Sequence, residues 1–163
     1  MRCSRCWRPE PACRVGTITI TRCSEAIRKA FAEAGSVAEV DALMKRFVEL
    51  AQTGAHKEAG FPDSAYGMSK LGEIALSVLQ AKLLAADANR PDIILNAVCP
   101  GYVSTDMSSH KGRLTVAEGA DSLVWLALLP PNDPANPNGQ MVGNRKVIDW
   151  RKGQTPEEAF PKA

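Results

Sequence analysis

The sequence predicts an α/β fold, and three observations predict it. A segment opened by Pro62, Asp63 and Ser64 keeps a helical period to about Asp87 and is apolar over most of its circumference, so it packs on more than one side. The run Ile93-Ile94-Leu95-Asn96-Ala97-Val98 is β-branched at its start and lacks strict alternation, as a strand covered on both faces does. That run stops at Cys99-Pro100-Gly101, a turn at a strand's carboxyl end, where open α/β sheets place their ligands.

The remaining elements follow in order. Residues 1–16 hold prolines at 9 and 11 and four arginines, show neither period, and read as an irregular or disordered start outside the domain. Cys3-x-x-Cys6 with Cys13 and Cys23 matches no paired metal-ligand spacing and has no histidine nearby, so no metal is expected. Thr17-Ile18-Thr19-Ile20-Thr21 alternates and predicts a short strand. Ser24 caps a helix to about Ala34, stopped by Gly35. Ser36-Val37-Ala38-Glu39 is a capping box for a helix to about Thr53, stopped by Gly54, with Val40, Leu43, Met44, Phe47, Leu50 and Ala51 on its buried stripe. Thr115-Val116-Ala117-Glu118 opens another helix, ended by Pro130-Pro131. Gln140-Met141-Val142 and Lys146-Val147-Ile148 are two parts of a last strand, and residues 151–163 form a tail.

The 163 residues suffice for one domain, here 17–150. A balance of 45% hydrophobic to 23% charged residues is that of an ordinary soluble protein. A net charge of +2 is too small to call for nucleic acid or an acidic membrane, and no apolar run reaches the ~20 residues of a membrane span. Five cysteines, an odd number, suit a reducing compartment, so cytoplasmic localisation is expected.

The chemistry sits on the long helix. At ~100° per residue, Tyr66, Ser69, Lys70, Glu73, Ser77 and Gln80 share one narrow polar arc. Tyr66 and Lys70, four apart, stand one turn from each other. A phenol holds its proton to pH ~10, and a nearby ammonium favours the phenolate, which suits a group that donates or accepts a proton near neutrality. Tyr-x-x-x-Lys alone is equally a solvated helix face.

Company gives it weight. Ser64-Ala65-Tyr66-Gly67-Met68-Ser69-Lys70, then Leu95-Asn96-Ala97-Val98-Cys99-Pro100-Gly101-Tyr102-Val103-Ser104-Thr105-Asp106-Met107, then Leu126–Pro131 and Gly139–Val142, together resemble the short-chain dehydrogenase/reductase family, in particular its monomeric, NADPH-dependent carbonyl reductases. The likeness runs over roughly residues 14–150. Residues 24–53 resemble the helical insertion that blocks the family's usual oligomer contact. The resemblance implies the carboxyl-terminal half of a Rossmann-like, doubly wound parallel sheet, a monomer when complete, acting on a small carbonyl substrate. It implies that Tyr66 donates the proton and that Lys70 supports it and holds the nicotinamide ribose. Pro100, Gly101, Val103, Thr105 and Asp106 would line the cofactor, while Tyr102 and Met107 would touch substrate.

Parts of the family pattern are absent from this sequence. It has no Gly-x-Gly-x-x-Gly and no Gly-x-x-x-Gly-x-Gly, the turns that seat a pyrophosphate on a helix N-terminus. Cys13 stands where the resemblance places the catalytic serine, and a thiol is the weaker donor. The NADPH phosphate-binding half is therefore expected to be missing, and the chain alone weakly active or inactive. The alternative is a non-catalytic truncated isoform or incomplete gene product that associates through an exposed sheet edge.

Overall fold

In the computed structural model, the structure describes residues 15–87, 92–130 and 133–153. Five helices precede or flank a small sheet: α1 (Val15–Arg22), α2 (Glu25–Glu33), α3 (Val37–Thr53), α4 (Ala65–Ala85) and α5 (Val116–Ala127). The strands are β1 (Ala97–Cys99), β2 (Met141–Gly143) and β3 (Lys146–Ile148). The α/β class holds. The sheet is mixed rather than wholly parallel: β1 pairs parallel with β2, placing Val98 opposite Val142, and β2 pairs antiparallel with β3. The two parts of the expected last strand are thus a hairpin. Asn144 and Arg145, with φ of 48° and 57°, make a two-residue turn in the left-handed conformation, whose twist matches the right-handed twist of the flanking strands.

The caps read from the sequence form. The Ser24, Ser36, Ser64 and Thr115 side chains accept from the backbone N–H three residues on, at Ile27, Glu39, Gly67 and Glu118. Glu118 completes its box by accepting from the Thr115 N–H at 2.7 Å. Glu39 instead accepts from Gly35 N–H at 3.0 Å, one residue earlier, so the chain entering α3 is tied back as well. Each backbone bond, and after it the bond from the Ser36 or Thr115 hydroxyl, holds its carboxyl below the usual range.

Two expected strands are corrected. Residues 17–21 are helical, part of α1. Their alternation of threonine and isoleucine fits a strand, but the buried residues Thr17, Thr19, Ile20 and Cys23 share one side of a helix that packs along α4. Packing on a helix outweighs β propensity. α1 also starts at Val15, two residues before the expected domain boundary. Secondly, Ile93–Val98 is not a strand over its length; β1 begins only at Ala97. The facing segment holds Pro137, which has no N–H; a backbone bond from Gly139 N–H to Leu95 O at 2.9 Å crosses there, and side chains supply others. Asn96 Nδ2 donates to Pro137 O at 2.7 Å, Asn96 Oδ1 accepts from Gln140 N–H, and Asn138 Oδ1 accepts from Leu95 N–H.

The core lies between α1, α2, α3 and the broad apolar face of α4. Ile20, Phe31, Phe47, Phe61, Met68 and Leu71 are buried together, and Ile148 and Trp150 carry it to the hairpin. Trp150 starts a short 3-10 turn, Trp150–Lys152, that packs on α1, so the first residues of the expected tail belong to the fold. The Cys3, Cys6 and Cys13 spacing and residues 154–163 lie outside the described residues. Among the described residues, no helix is long and apolar enough to cross a membrane.

Candidate active site

Helix α4 and the turn after β1 meet at one cavity of about 440 Å³, and four of the predicted site residues line it: Tyr66, Lys70, Pro100 and Met107. The Ser64 cap, accepting from Gly67 N–H at 3.0 Å, fixes where α4 starts and so puts Tyr66 in its first turn. Tyr66 is half-buried, and Lys70 is one turn on, its Nζ 5.7 Å from the Tyr66 ring centroid. That places an ammonium within cation–π range of the phenol. On the facing wall, Pro100 follows the end of β1, and Gly101 turns the chain with φ of 82°, a left-handed conformation a β-carbon resists.

The other predicted residues do not line this cavity. Gly101 is buried in the turn, and the loop beyond it closes on itself. Leu114 N–H donates to Tyr102 O at 3.0 Å, and Ser104 N–H donates to Leu114 O at 2.8 Å. Val103 turns toward α5, where a β-carbon on Gly119 would sit 2.3 Å from its Cγ2; that glycine is needed for the approach. Thr105 caps a short 3-10 turn at Asp106–Ser108, its N–H donating to Ser108 Oγ at 2.9 Å. Asp106 is fully exposed and lies 3.0 Å from His110 Nε2. Backbone closure of the 102–114 loop therefore separates these side chains from Tyr66 and Lys70, a consequence that a list of loop residues does not reveal.

Nine lining residues were missed as site residues, among them Thr17, Glu73 and Cys99. Glu73 carried a signal, since it shares the polar arc three residues after Lys70. Lys70 Nζ donates to its two carboxylate oxygens at 3.0 and 2.8 Å. Thr17 could not be found while its segment was read as a strand. Cys99 is disulfide-bonded, against the expectation of a fully reduced chain. Beside the site, the Lys57 ammonium, and after it His56, hold the exposed Asp63 carboxyl below its usual range, pinning the loop that leads into α4.

The donor set fits one end of a nicotinamide dinucleotide. An ammonium and a phenol on one polar arc can hold ribose hydroxyls. Among the described residues no glycine-rich turn leads into a helix N-terminus to seat a pyrophosphate.

Comparison with known proteins agrees with the resemblance. No family model matches the chain. It is 43% identical over 137 residues to mouse (Mus musculus) carbonyl reductase [NADPH] 3, covering 83% of this chain and 49% of that protein. It is 41% identical over 129 residues to human (Homo sapiens) carbonyl reductase [NADPH] 1, covering 78% and 46%. Salutaridine reductase from Papaver somniferum superposes with a TM-score of 0.64 at 25% identity, covering 77% of this chain and 41% of that one. The chain thus resembles NADPH carbonyl reductases over most of its own length, and spans about half of theirs.

Proposed function

We propose that this chain carries the acid–base half of an NADPH-dependent reductase of small carbonyl compounds. The observation that carries the reading is Tyr66 and Lys70 lining one cavity with the Pro100 turn, in a sequence about 40% identical to carbonyl reductases.

In this reading the Tyr66 hydroxyl donates its proton to the carbonyl oxygen as negative charge develops there. The Lys70 ammonium steadies the phenolate left behind. Lys70 and Tyr66 would hold the nicotinamide ribose, with Pro100 against the ring; bound NADPH supplies hydride to the carbonyl carbon. Lys70 must give up part of its pairing with Glu73 to make those contacts. That exchange is cheap, because the pair is exposed, and exposed ion pairs are worth ~0–1 kcal/mol. Gly101, Val103, Thr105 and Asp106, which stand apart from the cavity, would contribute by shaping the turn. Of the residues expected to touch substrate, Met107 fits and Tyr102 does not. The reaction needs the rest of a dinucleotide site, so weak binding and slow turnover are expected of the chain alone.

The test is to mix the purified chain with NADPH and acetophenone and follow nicotinamide absorbance. Slow, ketone-dependent oxidation of NADPH supports the reading, and no oxidation at any concentration overturns it.

A second reading, an interaction protein, is favoured by one set of observations. β1 is an edge strand of the sheet among the described residues, and Val116, Val124 and Leu128 of the neighbouring helix and its end are exposed. Concentration-dependent association without NADPH oxidation is its signature.

A further inference from the structure

We infer that Glu73 decides which carbonyl compounds the cavity takes: its carboxylate receives a protonated amine at the far end of the ligand, so amino ketones and amino aldehydes are favoured over neutral and acidic ones. This rests on the reading of Tyr66 as the group that meets a carbonyl oxygen.

Among the described residues, Lys70 and Glu73 are the charged ones that line the cavity. They stand in a fixed order along α4. Lys70 is one turn beyond Tyr66, and Glu73 is two turns beyond it, about 10 Å along the axis. A long helical side chain leans toward the helix N-terminus, which brings the Glu73 carboxylate back toward Lys70. Lys70 Nζ donates to its two oxygens at 3.0 and 2.8 Å. The cavity is therefore polarised. A phenol and an ammonium offer donors at one end, and a carboxylate offers acceptors further along. The matching ligand carries an acceptor oxygen at one end and a cation at the other.

The carboxylate has room for that cation. An ionised carboxyl accepts at about four positions, and Lys70 takes one on each oxygen. The Glu73 side chain is 63% exposed, so the others are reachable. Neither polar neighbour on the cavity wall competes for them. Ser77 Oγ donates to Glu73 O, and the Asn96 amide donates to Pro137 O. Ile74, Val98 and Met141 give the body of the ligand an apolar wall. When Lys70 turns to a ribose hydroxyl, Glu73 loses its cation. An amine restores the balance there, whereas an acidic ligand meets a like charge.

The test titrates the purified chain by calorimetry with three ketones of one shape: para-(aminomethyl)acetophenone, acetophenone and para-acetylbenzoate. Wild type, Glu73→Gln and Glu73→Asp are compared at low and high salt, alongside NADPH oxidation with each ketone. At low salt, wild type should bind the amine about threefold more tightly than acetophenone and the acid most weakly, as for an exposed ion pair. High salt should narrow the spread. Glu73→Gln should reverse the order, because Lys70 then stands alone and draws the acid, while Glu73→Asp keeps it. Loss of a merely structural residue would weaken all three alike. Equal affinity of wild type for the three ketones, an order that survives Glu73→Gln, or no ketone binding at all overturns the inference. The two readings fail separately. Charge-ordered binding without oxidation keeps this role for Glu73 and sinks the reductase, whereas oxidation that is indifferent to the ligand's charge does the reverse.

Discussion

Helices α4 and α5 both pack on β1, yet they are built differently. α4 buries nine residues, among them Met68 and Leu71 at 0% exposure, whereas α5 buries only Gly119 and Ser122. α1, α3 and β1 all cover α4, but α5 has few neighbours. Its Val116, Leu123 and Val124, and Leu128 at its end, face outward. The difference teaches which half of the molecule holds the candidate site. Tyr66 and Lys70 ride on a helix fixed from several sides, and the opposing turn, Pro100–Val103, leans on the sparsely covered one.

Core truncations should separate the two helices most. Leu71→Ala should cost about 2–5 kcal/mol by removing side-chain volume from the packed interior, while Leu128→Ala should stay within about 0.5 kcal/mol. Denaturant unfolding of both measures this, and equal losses would break the contrast. Adding a β-carbon gives the next largest effect, with opposite signs. On Gly119 it would meet Val103 Cγ2 at 2.3 Å, a short branched side chain with no room to move, so Gly119→Ala should destabilise the turn by about 1–3 kcal/mol. On Gly72 it would meet Met44 Sδ at 2.9 Å; that side chain is flexible, so helix propensity should make Gly72→Ala neutral or stabilising by up to about 1 kcal/mol.

Cys23 gives a smaller effect and reads the α1–α4 side directly. Burial pushes its thiol up to about 11, with nearby Arg28 opposing weakly. The folded state therefore favours the neutral thiol. The resulting stability is fully present below the unfolded thiol's pKa of ~8.5 and is lost as pH rises toward 11. Alkylation of Cys23 at pH 8 should track global unfolding, and fast labelling of native protein would show that α1 detaches by itself.

Smaller still is the effect of releasing Lys70. Glu73→Gln removes the carboxylate that now engages the ammonium and should tighten NADPH binding a few-fold at low salt, fading at high salt. Weaker binding would make Glu73 a support for Lys70 instead of its competitor.

The sequence foretold the parts governed by local chemistry. Ser36 and Thr115 cap where expected, and of the two candidates Asp63 and Ser64 it is Ser64 that caps α4, because capping depends on a few adjacent residues; the Tyr66–Lys70 arc follows from helix geometry alone. What it hid depends on distant partners. Thr17–Thr21 alternates like a strand and became helix because α4 lay beside it. Ile93–Asn96 is tied across largely by the Asn96 and Asn138 side chains beside Pro137, with a backbone bond from Gly139 N–H to Leu95 O. Val103, Thr105 and Asp106 are near Pro100 in sequence, yet they do not line the cavity, although Met107 of the same loop does. Glu73 was visible as a charge on the right arc, but its grip on Lys70 needed side-chain coordinates.

The central claim is that the phenol of Tyr66, supported by Lys70, moves the proton in carbonyl reduction. Comparing NADPH oxidation by wild type and Tyr66→Phe, with acetophenone as acceptor and melting curves as the control for folding, tests it most directly. The account predicts at least a hundredfold slower oxidation in a variant that melts normally, the usual worth of a positioned acid. Oxidation that survives the loss of the hydroxyl would contradict it.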